Sequence, residues 1–270
     1  MRLWVADGEK GLMRGDGNNG FQRIGPPGEA LCAWGGLVYC AGNGQCACYD
    51  AKTGAVLFSV AVPGGVCALA MLNEWLCALS ADADSVTALC PRTGQILCCA
   101  PAGMYPRDLA VHPGGGLLAA AGGAAGEVLL FGKELRFLCA YRLPGTVCGV
   151  CFLPRGMGAL CAVERGEALC ARLYTVSFRG VTEEVFASPS APGCLCGLPG
   201  GGCLLGLWGG TALWRPYKKT AFRQSCVYPA RIRPAEKSAV ICDIGDETVR
   251  LLRGPVLYRG KTPLDALPLP

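Results

Sequence analysis

The chain has 270 residues, 51% of them hydrophobic and 17% charged, with 40 glycines, 19 prolines and a formal net charge of +5. This composition excludes intrinsic disorder, and glycine without a Gly-X-Y period excludes collagen. No window reaches the roughly 18 uninterrupted apolar residues of a spanning helix, and the first ten residues hold no signal-peptide core, so a soluble, cytoplasmic protein with no membrane contact is expected.

Taken in chain order, Leu3-Trp4-Val5-Ala6 has the character of a second strand lacking the first strand of its unit. Leu31-Cys32-Ala33-Trp34 then opens a pattern that recurs: an apolar run, a Gly, Pro or Asn turn, and a second apolar run, here Leu37-Val38-Tyr39. The pattern returns at Val66–Ala70, Asp108–Pro113, Val147–Cys151, Cys194–Pro199 and Ala230–Pro234, and Asp265–Pro270 brings its first half to the chain end. From Leu31 through Cys67, Asp108, Cys148, Cys194, Arg231 and Asp265 the steps are 36, 41, 40, 46, 37 and 34 residues. A period near 40 is that of four-stranded propeller blades.

Hairpin signals fall inside the repeats. Gln45–Asp50 leads through Lys52-Thr53-Gly54 into Ala55–Val60, and Val86–Cys90 leads through Pro91-Arg92-Thr93-Gly94 into Gln95–Cys98. A Thr-Gly pair between apolar runs supplies the positive-φ residue that such a loop requires. Helical periodicity is hard to find. The expectation is an all-β, single-domain β-propeller over residues 1–270, with about seven four-stranded blades. The ring would be closed by Leu264–Leu269 pairing with the N-terminal strand, which removes exposed sheet edges. Counts of six or eight blades stay open, because residues 155–192 are irregular.

One repeat carries a resemblance. Tyr105-Pro106-Arg107-Asp108-Leu109-Ala110-Val111-His112-Pro113-Gly114-Gly115-Gly116-Leu117-Leu118 resembles the signature of YVTN-type propellers, a superfamily that includes the lactonase-like seven-bladed propellers. Gly126–Phe131 matches the strand that follows there, whereas Leu118–Gly122 departs from the family's Y-V-A/T-N strand. The resemblance covers about a quarter of the chain. It implies the fold, and propellers host many unrelated activities. It also implies an alternative function, hydrolysis of a sugar lactone at the central channel, for which Arg107, Asp108 and His112 are the only residues to nominate.

Chemistry is otherwise scarce. His112 is the sole histidine, which excludes multi-histidine metal sites, and its plainer reading is the end of an inner strand before a Pro-Gly turn. Asp82 and Asp84 read as a solvated connection, and Asp243, Asp246 and Glu247 as a hairpin tip. Cys148-Gly149-Val150-Cys151 has CxxC spacing inside a strand, where residues three apart point to opposite faces and do not share a metal. No phosphate-binding, dinucleotide-binding or nucleophile-elbow motif is present, so no metal and no cofactor is expected. The 19 cysteines are odd in number and set among Ala, Val and Leu, which suits buried, reduced core filler.

Charge is the one asymmetry. Residues 201–270 hold 11 Lys/Arg against 5 Asp/Glu, while the first 200 hold 14 against 15. The basic residues Arg215, Lys218, Lys219, Arg223, Arg231 and Arg233 are interleaved with Trp214, Tyr217, Phe222 and Tyr228. They are the candidate contact for an anionic or protein partner, with nucleic acid the less favoured class and a solvated strand the plainer reading. The reading is therefore a non-enzymatic binding or scaffold propeller.

Overall fold

The computed structural model describes residues 2–16, 20–223, 226–235, 238–252 and 254–269. It is a ring of seven four-stranded antiparallel sheets. Blade 7 combines both chain ends: β1 (Arg2–Asp7), β2 (Gly11–Asp16) and β3 (Gly20–Gly25) are completed by β28 (Pro263–Leu269). Blade 1 is β4 (Ala30–Trp34), β5 (Leu37–Gly42), β6 (Gln45–Asp50) and β7 (Val56–Ala61). Blade 2 is β8 (Val66–Leu72), β9 (Trp75–Ser80), β10 (Ser85–Leu89) and β11 (Ile96–Pro101). Blade 3 is β12 (Asp108–Val111), β13 (Leu118–Ala121), β14 (Glu127–Phe131) and β15 (Phe137–Arg142). Blade 4 is β16 (Thr146–Leu153), β17 (Gly156–Arg165), β18 (Ala168–Ser177) and β19 (Thr182–Ser188). Blade 5 is β20 (Pro192–Leu198), β21 (Gly202–Leu207), β22 (Gly210–Trp214) and β23 (Ala221–Arg223). Blade 6 is β24 (Pro229–Ala235), β25 (Ser238–Asp243), β26 (Thr248–Leu251) and β27 (Val256–Arg259).

The seven repeat markers, from Leu31 to Asp265, all fall on inner strands. The irregular stretch is blade 4, whose β17 and β18 are ten residues long, twice the length of β4. That extra length accounts for the 46-residue step. Among the described residues, helix is confined to a 3-10 turn at Lys133–Leu135.

The middle strands of each blade are covered on both sides by neighbouring blades, so they read as continuous apolar runs rather than alternating ones. β9 buries five of six residues and β21 all six. Leucine, alanine and cysteine recur in these runs, the small residues fitting where neighbouring sheets approach closely. All cysteines are free thiols, and only Cys67, Cys90, Cys98, Cys99, Cys139 and Cys148 have appreciable exposure. Cys151 packs with Leu160 and Cys203 at the blade 4–5 boundary, while Cys148 lies near Arg107 and Cys161, so the two CxxC thiols have different surroundings.

Turn chemistry follows local sequence. The β5–β6 hairpin closes on Asn43-Gly44, both at positive φ (52° and 71°), as a two-residue loop of this hand requires. At the β6–β7 turn the Asp50 carboxylate accepts the Lys52 N–H, the Thr53 N–H and the Thr53 hydroxyl, before Gly54 at φ 80°. In the outer strands of blades 1, 2 and 3, Leu57, Leu97 and Leu138 are skipped in the register, a bulge that bends each outer edge away from foreign strand pairing.

The ring closes by β28 pairing antiparallel with β1, from Arg2↔Leu269 to Asp7↔Pro263. Asp7 anchors the seam, accepting the N–H groups of Glu9, Lys10 and Lys261 and the Tyr258 hydroxyl. Burial works against its charge, yet these donors hold the carboxyl below its usual range.

Candidate binding face

Inner strands in such a ring run side by side, so one rim of the channel carries their starts (the upper face) and the other their ends (the lower face). Arg231 and Arg233, two apart on β24, point the same way into the channel. Arg231 Nη1 lies 2.6 Å from Asp108 Oδ1, and its Nη2 donates to the Cys67 carbonyl. Asp108 also accepts the Val150 N–H. Arg233 holds Asp265 through Nε and Nη2 at 3.0 and 2.5 Å and donates to the Leu31 carbonyl, while the Leu31 N–H donates back to Asp265. Burial works against both guanidinium charges, but Asp108 and Asp265 outweigh it and keep the arginines protonated. This network ties blade 6 to blades 1, 2, 3 and 7 and occupies the channel.

The six basic residues picked out in the sequence therefore separate. Arg231 and Arg233 are committed to carboxylates inside the ring. Arg215, Lys218 and Lys219 lie exposed in the β22–β23 turn on the lower face, and Arg223 lies at the far end of β23. Lys237, Arg253 and Glu236, which contributed to the C-terminal charge count, lie outside the described residues.

Arg107, Asp108 and His112 do not converge. Asp108 begins β12 and His112 follows its last residue, which at about 3.3 Å per residue sets them roughly 13 Å apart along the strand. Asp108 is engaged by Arg231, and Arg107 is exposed at the upper rim. The His112 ring packs edge-on against Phe152 at 5.2 Å, and its Nδ1 accepts the Gly114 N–H. Asp82 and Asp84 serve as loop acceptors, for the N–H groups of Gly65 and Tyr105. The Asp243 carboxylate receives those of Val227, Tyr228, Gly245 and Asp246 at a hairpin tip.

What the sequence did not reveal is how charge divides between the faces. The lower turns present Lys52, Arg92, Lys133 and Arg136 from blades 1 to 3, Arg155 and Arg179 from blade 4, and the blade 5 trio; Glu74 and Glu134 are the exposed acids of the described lower turns. The upper turns present Glu9, Glu29, Asp82, Asp84, Glu164, Glu167, Asp246 and Glu247, against Lys10, Arg107, Arg165 and Lys261. Alternate turns of an antiparallel sheet reach opposite faces, so neighbouring charge clusters in sequence end on different sides of the disc.

Within the basic face, a cleft of about 810 Å³ opens between blades 4 and 5. The β16–β17 turn, the β18–β19 turn and the segment 214–218 wall it. Tyr217 sits at its rim fully exposed, at φ 59°, and Val181 is 69% exposed. Phe178 and Phe152, their rings tilted at 33° with centroids 6.4 Å apart, extend the apolar surface toward His112. A second cleft of about 740 Å³ lies between blades 5 and 6, where β23 is only three residues long; its Arg250 pairs with Asp246. Among the described residues, no helix is long and apolar enough to cross a membrane.

No family model and no curated protein matches the chain. Solved structures do. A candidate 6-phosphogluconolactonase from Bacteroides uniformis superposes with a TM-score of 0.75 at 13% identity, covering 98% of both chains. A chain of the Mitotic Checkpoint Complex gives 0.76 at 12% identity over 95% of this chain and 87% of its own, and the WD40 propeller domain of Doa1 gives 0.68 at 10% over 90% and 86%. At these identities the likeness is one of fold alone.

Proposed function

We propose that this propeller is a non-catalytic binding module whose lower face holds an anionic partner. The observation that carries the reading is the segregation of cations to one face. Arg155, Arg215 and Lys218 line the larger cleft there, Arg179 and Lys219 lie in the adjoining turns, and none of the five has an ion-pair partner among the described residues. A predominantly basic surface of this kind raises the local concentration of the opposite charge and orients its approach. Two fold neighbours, in the Mitotic Checkpoint Complex and in Doa1, fit a binding role for the architecture without naming a partner for this chain.

The lactone-hydrolysis alternative calls on Arg107, Asp108 and His112. Their separation, and the engagement of Asp108 by Arg231, give it no shared reaction centre. Unchanged turnover of a sugar lactone in His112→Ala and Arg107→Ala variants would remove it.

The test compares two triple variants of equal net charge. Arg215→Glu/Lys218→Glu/Lys219→Glu alters the lower face, and Lys10→Glu/Arg107→Glu/Lys261→Glu alters the upper. Retention on an immobilised polyanion, eluted with salt, should fall sharply in the first and little in the second. Equal losses in both would reduce the effect to net charge and sink the reading.

A further inference from the structure

We infer that the cleft between blades 4 and 5 seats an acidic peptide segment carrying one bulky apolar side chain, an inference that rests on the lower-face reading above. Its two chemistries sit at different depths. Met157 and Val176 are almost wholly buried beneath it, and Leu153, Val185 and Trp214 wall it. Arg155, Arg215 and Lys218 stand exposed at its rim. An apolar slot ringed by unpaired cations matches a ligand whose apolar group is flanked by carboxylates. The volume, about 810 Å³, lies within the roughly 300–1,000 Å³ of pockets that enclose a small ligand, enough for one large side chain and its neighbours.

Two exposed side chains, Tyr217 and Val181, line the cleft. Tyr217 is fully exposed, on a backbone at φ 59° that is uncommon for a residue other than glycine. Val181 is exposed across the opening. A segment lying between them would cover both, and aromatic anchors beside cations are the usual high-energy contacts of protein interfaces.

The wall also discriminates between polyanions. Glu183 and Glu184 line the cleft. Glu184 is held by Arg172 at 2.6 Å and by the Tyr174 hydroxyl, whereas Glu183 has no cation partner among the described residues. A phosphodiester backbone has only acceptors to offer a carboxylate and is repelled by it. A peptide backbone offers N–H donors, which Glu183 can accept while the acidic side chains meet the rim.

Fluorescence anisotropy with a fluorescein-labelled dodecapeptide of Asp and Glu around one central Phe tests this. The comparison probes are the same peptide with Ala in place of Phe and a twelve-residue oligothymidylate. The Phe peptide should bind at least tenfold more tightly than the Ala peptide. Tyr217→Ser and Val181→Ser, which change no charge and lie on the surface, should erase most of that difference while the thermal melt stays put. Equal affinity for both peptides, lost together in the Arg215/Lys218/Lys219 reversal, would overturn the cleft inference and leave the basic face standing. Tighter binding of the oligonucleotide than of the Phe peptide would overturn the peptide class. No binding of any probe, together with no polyanion retention, would overturn both readings.

Discussion

Arg231 on β24 and Asp108 on β12 are 123 residues apart in the chain and meet across the channel at 2.6 Å, joining blade 6 to blade 3. Two blades lie between them one way round the ring and three the other, so this contact spans the channel. Its side chains are only 17% and 8% exposed, which places the pair in the regime where desolvation and Coulomb attraction are both large.

Removing one partner should therefore cost more than removing both. Arg231→Met leaves Asp108 buried with a lost counter-charge and should destabilise the fold by about 3–5 kcal/mol. Arg231→Met combined with Asp108→Leu should recover most of that loss. Urea unfolding of the two variants and the parent measures it; a single-variant loss below about 1 kcal/mol would show that the pair is not a structural tie.

The buried thiols predict an alkaline limit. Burial pushes Cys40, Cys77, Cys161 and Cys196 up to about 12, well above the roughly 8.5 of a free thiol. Their folded pKa is raised, so the folded state holds protons that the unfolded state releases. Stability is then fully present below about pH 8.5 and falls as pH rises past it, by about 1.4 kcal/mol per thiol per pH unit. Melting temperatures taken under reducing conditions from pH 7 to 10 should be level at first and then drop steeply. A flat profile to pH 10 would mean that the thiols reach water.

Cys90 should behave oppositely. It occupies in Cys90-Pro91-Arg92-Thr93-Gly94 the place of Asp50 in Asp50-Ala51-Lys52-Thr53-Gly54. The Thr93 hydroxyl and the Arg92 N–H, donors of the kind that hold the Asp50 carboxylate, lower the Cys90 pKa. Brief iodoacetamide treatment at pH 7.5, followed by peptide mass spectrometry, should find Cys90 alkylated ahead of the more exposed Cys99. Cys90→Asp should keep the turn and the melting temperature, since the same donors suit a carboxylate.

Ring closure should be essential. A chain ending at Thr262 lacks β28, and with it the β1 pairing and the Asp265 carboxylate that binds Arg233 and the Leu31 N–H. It should show no cooperative melt, and a synthetic peptide of residues 263–269 should restore one in a concentration-dependent way. A stable, cooperative truncated chain would show that six blades hold without the seam.

Much of the fold is legible in the sequence because its determinants are local. Strand length, the Thr-Gly and Asn-Gly turns and the spacing of apolar runs each act within a dozen residues, and their repetition near 40 predicts the blades and even the shared seventh sheet. The likeness of Leu3–Ala6 to a second strand, and of Leu264–Leu269 to a missing first, needs only that pattern. The cysteines, too, report their burial through their apolar neighbours.

The binding face is a different matter. Arg231 and Arg233 look in sequence like part of one basic patch with Arg215 and Lys218, since nothing nearby in the chain reveals that Asp108 and Asp265 await them inside the ring. Arg155 and Arg179 stand in a segment without obvious charge excess, yet they share a face with the blade 5 turn. The sequence by itself determined the repeating unit, the strands and the closure of the ring, through short-range propensity and turn geometry. Only the tertiary structure decided which charges are neutralised and which face outward, because ring closure sets the partners across the channel, and antiparallel connection sends successive turns to opposite sides.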